Sequence, residues 1–221
     1  MEEDGEPYVN HNKIIDYLAG LEYPIYHLDF ETVNAAVPPF DGTHSYMKLP
    51  FQYSLHIEHQ DGSIAHKEYL HTGNSDPRRP MFEQLHKDIG ATGTVLAFHE
   101  PFEKSRIKEW AKAAPEYLDW AVDVENRMQD LKTPFAQFHY YHPDQKGSCS
   151  IKDVLPVMSD LSYDGMPIAN GGMAMSAYEK YFVKNEAHEN KEQLIQDMLA
   201  YCKQDTWAMV LILRRLRELV G

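Results

Sequence analysis

Residues 23–32, YPIYHLDFET, contain the strand around which the rest of the chain is arranged. The apolar residues of this stretch predict a buried strand from about Pro24 to Phe30. Side chains alternate between the two faces of a strand, so Asp29 and the following Glu31 point the same way. Two carboxylates therefore share one patch. They lie either on a solvent-facing edge of the strand or beside a bound cation, and we favour the cation because the flanking residues are apolar.

Two further segments carry acids in comparable settings. The stretch LAYCKQDTWAMVLIL, residues 199–213, lies in a long helix predicted from about Asn190 to Leu219, and its Tyr201 and Asp205 are four positions apart on one helix face. In VLAFHEPFEKSRI, residues 95–107, a proline stands where a helix is expected to begin, which places Glu103 in the first turn. If the three segments converge, they form an all-oxygen site for a divalent metal.

The order of the elements predicts a mixed α/β fold. Three antiparallel strands open it, because residues 51–59 and 65–71 flank the turn residues Asp61, Gly62 and Ser63. Short apolar strands then alternate with helices, so we expect a mixed central sheet with parallel strands after the antiparallel ones and helices on both faces. The expected organisation is a disordered tail over residues 1–9 and a single domain over residues 10–221.

Charge and composition limit the classes of function. The 221 residues are 43% hydrophobic, enough for one core, but the net charge of −13 argues against broad electrostatic attraction to nucleic acid. Metal ions bound to the acids would weaken this objection. A basic stripe on the helix after Pro101 would also weaken it, although the same residues could be a solvated helix face. The stripe comprises Lys104, Arg106, Lys108 and Lys112.

Several features are absent from the sequence. No run approaches the ~20 apolar residues of a membrane helix, and the amino terminus MEEDGEPYVN is acidic where a secretory signal is basic, so we expect a cytoplasmic protein without a membrane partner. Cys149 and Cys202 lack CxxC partners and are interpreted as reduced packing residues. His139 and His142 lack further zinc ligands and are interpreted as loop packing.

The three acidic segments resemble the motifs of the DnaQ-like 3′-5′ exonucleases of the DEDD superfamily, which share the ribonuclease H-like fold. HLDFET is similar to the first motif, AFHEPFEKSRI to the second and YCKQD to the third. Tyr201 stands four positions before Asp205, as in the tyrosine subtype, whereas the histidine subtype has a His where this chain has Ala200. The segments GSCSIKDVLP and GGMAMSAY also resemble an uncharacterised bacterial and archaeal branch, often a carboxy-terminal region of larger proteins.

The resemblance implies a two-metal-ion hydrolysis of DNA or RNA that releases 5′-mononucleotides from a 3′ end. Its cofactors would be two Mg²⁺ or Mn²⁺ ions, and Tyr201 would orient the attacking water. The implied ligands are Asp29, Glu31, Glu103 and Asp205. The second motif departs from the usual pattern, with Glu103 in place of Asp and Glu100 in place of Asn, and Asp130 is the reserve ligand.

Other functions use the same residues. One alternative is a catalytically weak nucleic-acid-binding or scaffold module of a larger nuclease-related protein. Another is a metal-dependent nuclease with endonucleolytic or structure-specific action. The expected partner in the leading interpretation is single-stranded or 3′-ended DNA or RNA, together with other domains of a larger protein, and the sequence does not distinguish DNA from RNA.

Overall fold

A computed structural model of the chain describes residues 5–221. Within these residues the strands and helices alternate along most of the chain. The strands are β1 (Tyr8–Val9), β2 (Ile25–Val33), β3 (Leu49–Glu58), β4 (Ile64–Leu70), β5 (Val95–Ala97), β6 (Met128–Asp130) and β7 (Tyr140–Tyr141). The helices are α1 (His11–Ala19), α2 (Arg78–Asp88), α3 (Pro101–Ala113), α4 (Leu118–Arg127), α5 (Thr133–Ala136), α6 (Ile151–Met158), α7 (Gly171–Tyr178) and α8 (Lys191–Glu218).

A mixed sheet lies at the centre of the described part of the chain, with its strands in the order β4-β3-β2-β5-β6. The first three strands are antiparallel, and β5 and β6 run parallel to β2. This confirms the predicted mixed α/β sheet. In the register of β2 with β3, His27 faces His56 and Asp29 faces Ser54. Directly opposite residues point to the same side of a sheet, so these four side chains share one face.

The other face of the sheet is apolar and is covered by α2, α3 and α4. Tyr26, Leu28 and Phe30 of β2 pack there with Phe82 of α2 and Trp110 of α3. Helices α6, α7 and α8 cover the opposite face, which carries the acids of β2. The expectation of helices on both faces is therefore confirmed.

Helix α8 rests on buried polar side chains of β2 and β3, which we call the polar layer. The polar layer consists of His27, Gln52, Ser54, His56 and Glu58. The hydroxyl of Thr206 on α8 is 2.6 Å from Ser54 Oγ and 2.8 Å from His56 Nδ1, and Gln52 Nε2 donates to Met198 O at 2.8 Å. Arg217 pairs with Glu58. Hydrogen bonds with defined geometry thus attach the helix to the sheet.

The structure corrects part of one prediction, the disordered tail over residues 1–9. Residues 1–4 of the predicted disordered tail lie outside the described residues, but Tyr8 and Val9 pair antiparallel with Tyr141 and Tyr140 as a two-stranded ribbon. Backbone hydrogen bonding between two segments distant in sequence is a signal that local composition does not carry.

Among the described residues, no helix is both long enough and apolar enough to cross a bilayer.

Candidate metal and active site

Three carboxylates converge between β2 and α8. One ligand oxygen from each of Asp29, Glu31 and Asp205 lies within 4.8 Å of the other two. Strand alternation directs the side chains of Asp29 and Glu31 toward α8, and Asp205 lies on the side of α8 that faces them. Glu31 and Asp205 are each 7% exposed, whereas Asp29 is partly exposed. The structure therefore brings together the acids of the first and third motifs.

Burial and mutual repulsion raise the pKa values of these three acids above their ordinary values. Burial and the charge of Asp205 raise the pKa of Glu31 to about 8. Burial also raises the pKa of Asp205 to about 6, although hydrogen bonding opposes this rise. The pKa of Asp29 is raised well above its usual value, first by burial and then by the charges of Asp205, Glu103 and Glu31. A divalent cation relieves this kind of repulsion.

Glu103 lies next to this group but outside it. It occupies the first turn of α3, is 3% exposed, and its Oε2 has no hydrogen-bond partner among the described residues. Burial raises its pKa to about 8, and its charge contributes to the raised pKa of Asp29.

The two alternatives to Glu103 already have protein partners. Glu100 Oε2 lies 2.9 Å from Lys104 Nζ. Asp130 Oδ1 accepts hydrogen bonds from the backbone N–H groups of His99 at 2.8 Å and Lys132 at 2.9 Å. Of the three candidates for the second motif, Glu103 is the one whose charge raises the pKa of Asp29, which places it next to the acidic group.

Two tyrosines flank Asp205. Tyr201, predicted from the third motif, is 4% exposed, and burial together with the charge of Asp205 raises its pKa, so its hydroxyl stays protonated. The hydroxyl of Tyr163 donates to Asp205 Oδ1 at 2.6 Å, and the two rings lie 6.1 Å apart. Sequence reasoning missed Tyr163, because it lies in the irregular loop between α6 and α7, where no periodicity indicates its direction.

A lysine also stands beside the acids. Lys152 of α6 donates from Nζ to Ala169 O at 2.6 Å, and its Nζ lies 5.1 Å from the ring centre of Tyr163 and 5.5 Å from that of Tyr201. Its positive charge partly opposes the raised pKa values of Glu31 and Asp205. Lys152 lies in the GSCSIKDVLP segment, but the resemblance of that segment to an uncharacterised branch assigned no role to the lysine.

An open cleft of about 320 Å³ leads from Glu31 to the surface. Lys48, Phe102 and Met175 line it, as does the glycine pair that begins α7. A Cβ at Gly171 would lie 3.3 Å from Glu31 Oε2, so the glycine allows the start of this helix to approach the carboxylate.

The four basic residues of α3 do not form a continuous positively charged surface. Lys104 pairs with Glu100, Lys108 pairs with Glu125 at 2.7 Å, and Arg106 is buried at 7% exposure. Only Lys112 of the four is exposed without an ion pair to another described residue. Ion pairing along the helix thus neutralises most of the stripe.

The other candidate ligands do not form a metal site within residues 5–221. The acidic group is the only set of three or more His, Cys, Asp and Glu residues with ligand atoms this close together in that part of the chain. Cys202 is buried, and its Sγ lies 3.7 Å from Asp29 Oδ2. Burial and the neighbouring carboxylates raise the pKa of this thiol, so it stays protonated, and it forms no disulfide with Cys149.

Comparisons with known proteins place the chain among proteins of undetermined function. A family described as a domain of unknown function (DUF2779) matches residues 26–150, more than half of the chain. An uncharacterized protein of Ureaplasma parvum is 26% identical over 93% of this chain and 33% of its own length. An uncharacterized protein of Mycoplasma genitalium is 21% identical over 88% of this chain and 32% of its own length. The chain thus spans about a third of these relatives, and no solved structure matches it significantly.

Proposed function

The chain belongs to the family described as a domain of unknown function (DUF2779), and we propose that it is a metal-dependent 3′-5′ exonuclease acting on DNA or RNA. The observation that carries this proposal is the group of Asp29, Glu31 and Asp205, whose ligand oxygens lie within 4.8 Å of one another. These acids belong to two motifs separated by most of the chain. The proposed fold is ribonuclease H-like, supported by an antiparallel set of strands followed by parallel ones.

The donor set fits Mg²⁺ or Mn²⁺. Carboxylate oxygens are hard ligands, which these ions prefer, and the buried acids have raised pKa values that a cation would lower. Two ions bound there would polarise the phosphoryl oxygens and lower the pKa of a water molecule toward about 7. Asp29 lies within reach of both other acids, and the charge of Glu103 also acts on it.

The remaining residues position the reacting groups. Tyr163 holds one oxygen of Asp205 by a hydrogen bond, and this fixes the direction of the other oxygen. The protonated hydroxyl of Tyr201 can donate to or accept from a water that attacks the phosphorus. Lys152 limits the repulsion between the acids. In the overall reaction, water adds to phosphorus and the P–O3′ bond breaks, which releases a 5′-mononucleotide and a new 3′-hydroxyl.

The proposal is tested with 5′-labelled single-stranded DNA and RNA in the presence of Mn²⁺. We expect a ladder of shortened products. Asp29→Asn and Asp205→Asn should each lower the rate by on the order of 100-fold or more, because each removes a charged ligand. Asp119→Asn is the matched control, since this acid is exposed on α4, which covers the face of the sheet opposite the acids. Equal rates for the wild type and Asp29→Asn would contradict the proposal.

The same assay separates the alternatives. Tight binding of the labelled strands without shortening would favour the catalytically weak binding or scaffold module. Cleavage of a strand whose 3′ end is blocked by a phosphate would favour endonucleolytic action. Because the relatives are about three times longer than this chain, we also propose that further domains are among its partners.

A further inference from the structure

Two basic side chains and one aromatic ring form a group beside the cleft that contains Glu31. Lys48, from the loop between β2 and β3, places its Nζ 4.7 Å from the centre of the Phe102 ring. The Arg106 guanidinium carbon lies 5.2 Å from the same ring. Lys48 and Phe102 line the cleft that contains Glu31, so this group is continuous with the candidate active site.

Arg106 is buried with part of its hydrogen-bonding capacity unused. Its side chain is 8% exposed, and one nitrogen, Nη2, donates to Glu109 Oε1 at 2.7 Å. Nε and Nη1 have no hydrogen-bond partner among the described residues. Buried donors are rarely left in this condition, because each keeps its desolvation cost unless an acceptor is supplied.

A small cavity adjoins these donors. Its lining includes Lys48, Arg106 and Arg78, and its volume is about 10 Å³. This is close to the smallest volume that holds one water-sized group. A non-bridging phosphate oxygen has that size. Arg78 is paired with Asp76 at 2.6 Å and Arg106 with Glu109 at 2.7 Å, so Lys48 has the positive charge that remains, and Arg106 contributes its two unpaired N–H donors.

Lys48 adds an unneutralised charge at the surface. It is exposed and forms no ion pair with any residue in the 5–221 range. In a chain of net charge −13, a free ammonium group and a half-satisfied guanidinium beside one aromatic ring mark the place where an anion is attracted locally.

On the premise of the proposed nuclease function, we propose that Lys48, Phe102 and Arg106 form a subsite for the nucleotide next to the scissile bond, which we call the strand subsite. One phosphate oxygen occupies the cavity beside Arg106, with Lys48 as its second partner. Guanidinium groups suit phosphate because they offer donors in a fixed plane. Phe102 supplies a face on which a base can stack, as single-strand binding commonly requires. The strand subsite makes the substrate class a chain of at least two nucleotides.

The test measures binding of a fluorescent single-stranded decanucleotide, as DNA and as RNA, by anisotropy in Ca²⁺ at several salt concentrations. We expect Lys48→Gln to weaken binding about 3- to 10-fold and to reduce the salt slope of log Kd by about 0.7, the value for one lost phosphate contact on a single strand. Lys112→Gln on α3 is the matched control and should bind like the wild type. Arg106→Gln should weaken binding further, and thermal unfolding shows whether that variant is folded.

A separate kinetic comparison uses Mn²⁺ and two substrates, the decanucleotide and thymidine 5′-monophosphate p-nitrophenyl ester, which has a single phosphate. The ratio of kcat/KM for the decanucleotide to that for the ester should fall at least about 3-fold in Lys48→Gln, through an increase of KM for the longer substrate.

The possible results distinguish the two proposals. Binding that depends on Lys48, without hydrolysis, supports the strand subsite and overturns the exonuclease. Hydrolysis with the same Kd, salt slope and substrate ratio in Lys48→Gln and the wild type overturns the strand subsite alone. A wild-type protein that binds neither decanucleotide overturns the strand subsite directly.

Discussion

At the scale of single residues, Tyr163 controls one oxygen of Asp205. Its hydroxyl donates to that carboxylate at 2.6 Å, and the hydrogen bond counteracts the rise in the pKa of Asp205 caused by burial. Partners of this kind set the direction and the basicity of a metal ligand. The contribution of Tyr163 is thus to keep Asp205 ionised and correctly oriented at neutral pH.

Replacing Tyr163 by Phe should therefore weaken metal binding without unfolding the protein. The variant Tyr163→Phe loses the hydrogen bond, so the pKa of Asp205 rises and a proton competes with the ion. We expect the Kd for Mn²⁺ at pH 7, measured by isothermal titration calorimetry, to increase about 10-fold. Tyr8→Phe, at a side chain that is 55% exposed, is the control and should leave Kd unchanged. An unaltered Kd in Tyr163→Phe would show that the hydrogen bond has no such role.

At the scale of elements, β2 and α8 fix the relative positions of the acids. The polar layer joins them, and Thr206 lies at its centre, fully buried and bonded to Ser54 and His56. It is on the helix turn that carries Asp205. The attachment of α8 to the sheet and the geometry of the candidate site therefore depend on the same short segment.

The variant Thr206→Val tests this attachment. It keeps the shape of the side chain but removes the hydroxyl, which leaves His56 Nδ1 buried without its partner. We expect the free energy of unfolding, measured in urea, to fall by about 1–3 kcal/mol. Thr92→Val, at an exposed position, should change it by less than about 0.5 kcal/mol. A loss for Thr206→Val no larger than that of its control would contradict a structural role for the polar layer.

The elements also show which features of the structure can be predicted from the sequence. Strand alternation predicts that Asp29 and Glu31 point together, and helix periodicity predicts that Tyr201 and Asp205 do, because both depend only on local geometry. The predicted strand ended at Phe30, but β2 continues to Val33, since pairing with β3 persists beyond the apolar run. Tyr163 and Lys48 come from loops, where tertiary contacts set the direction of each side chain. No spacing in the sequence carries that information.

At the scale of the whole molecule, the acids make stability depend on pH. The pKa values of Glu31 and Glu103 are raised to about 8 in the folded protein, from an ordinary value of 4.5. At a pH between these two values, both glutamates are ionised in the unfolded chain but protonated in the folded protein. Raising the pH therefore favours unfolding until the folded pKa is passed. Several buried histidines have the opposite effect, but only below their unfolded pKa of about 6.5.

Between pH 7 and 8 the glutamates should dominate. We expect the metal-free protein, in the presence of a chelator, to lose roughly 1–3 kcal/mol of unfolding free energy over this interval. Saturating Mn²⁺ should remove most of that loss and raise the Tm more at pH 8 than at pH 7, because the ion binds only the ionised, folded site. Glu31→Gln should reduce both effects. A metal-free protein whose stability is constant or increases across the interval would contradict the raised pKa values.

The contribution of α8 to the acidic group also bears on protein synthesis. Asp29 and Glu31 leave the ribosome early, but Asp205 follows after more than 170 further residues and is needed to complete the set. A nascent chain that is still missing this helix has no complete cation-binding group, even if its sheet has begun to form. Under the proposed function, the newly made protein therefore gains its activity only after α8 has been translated.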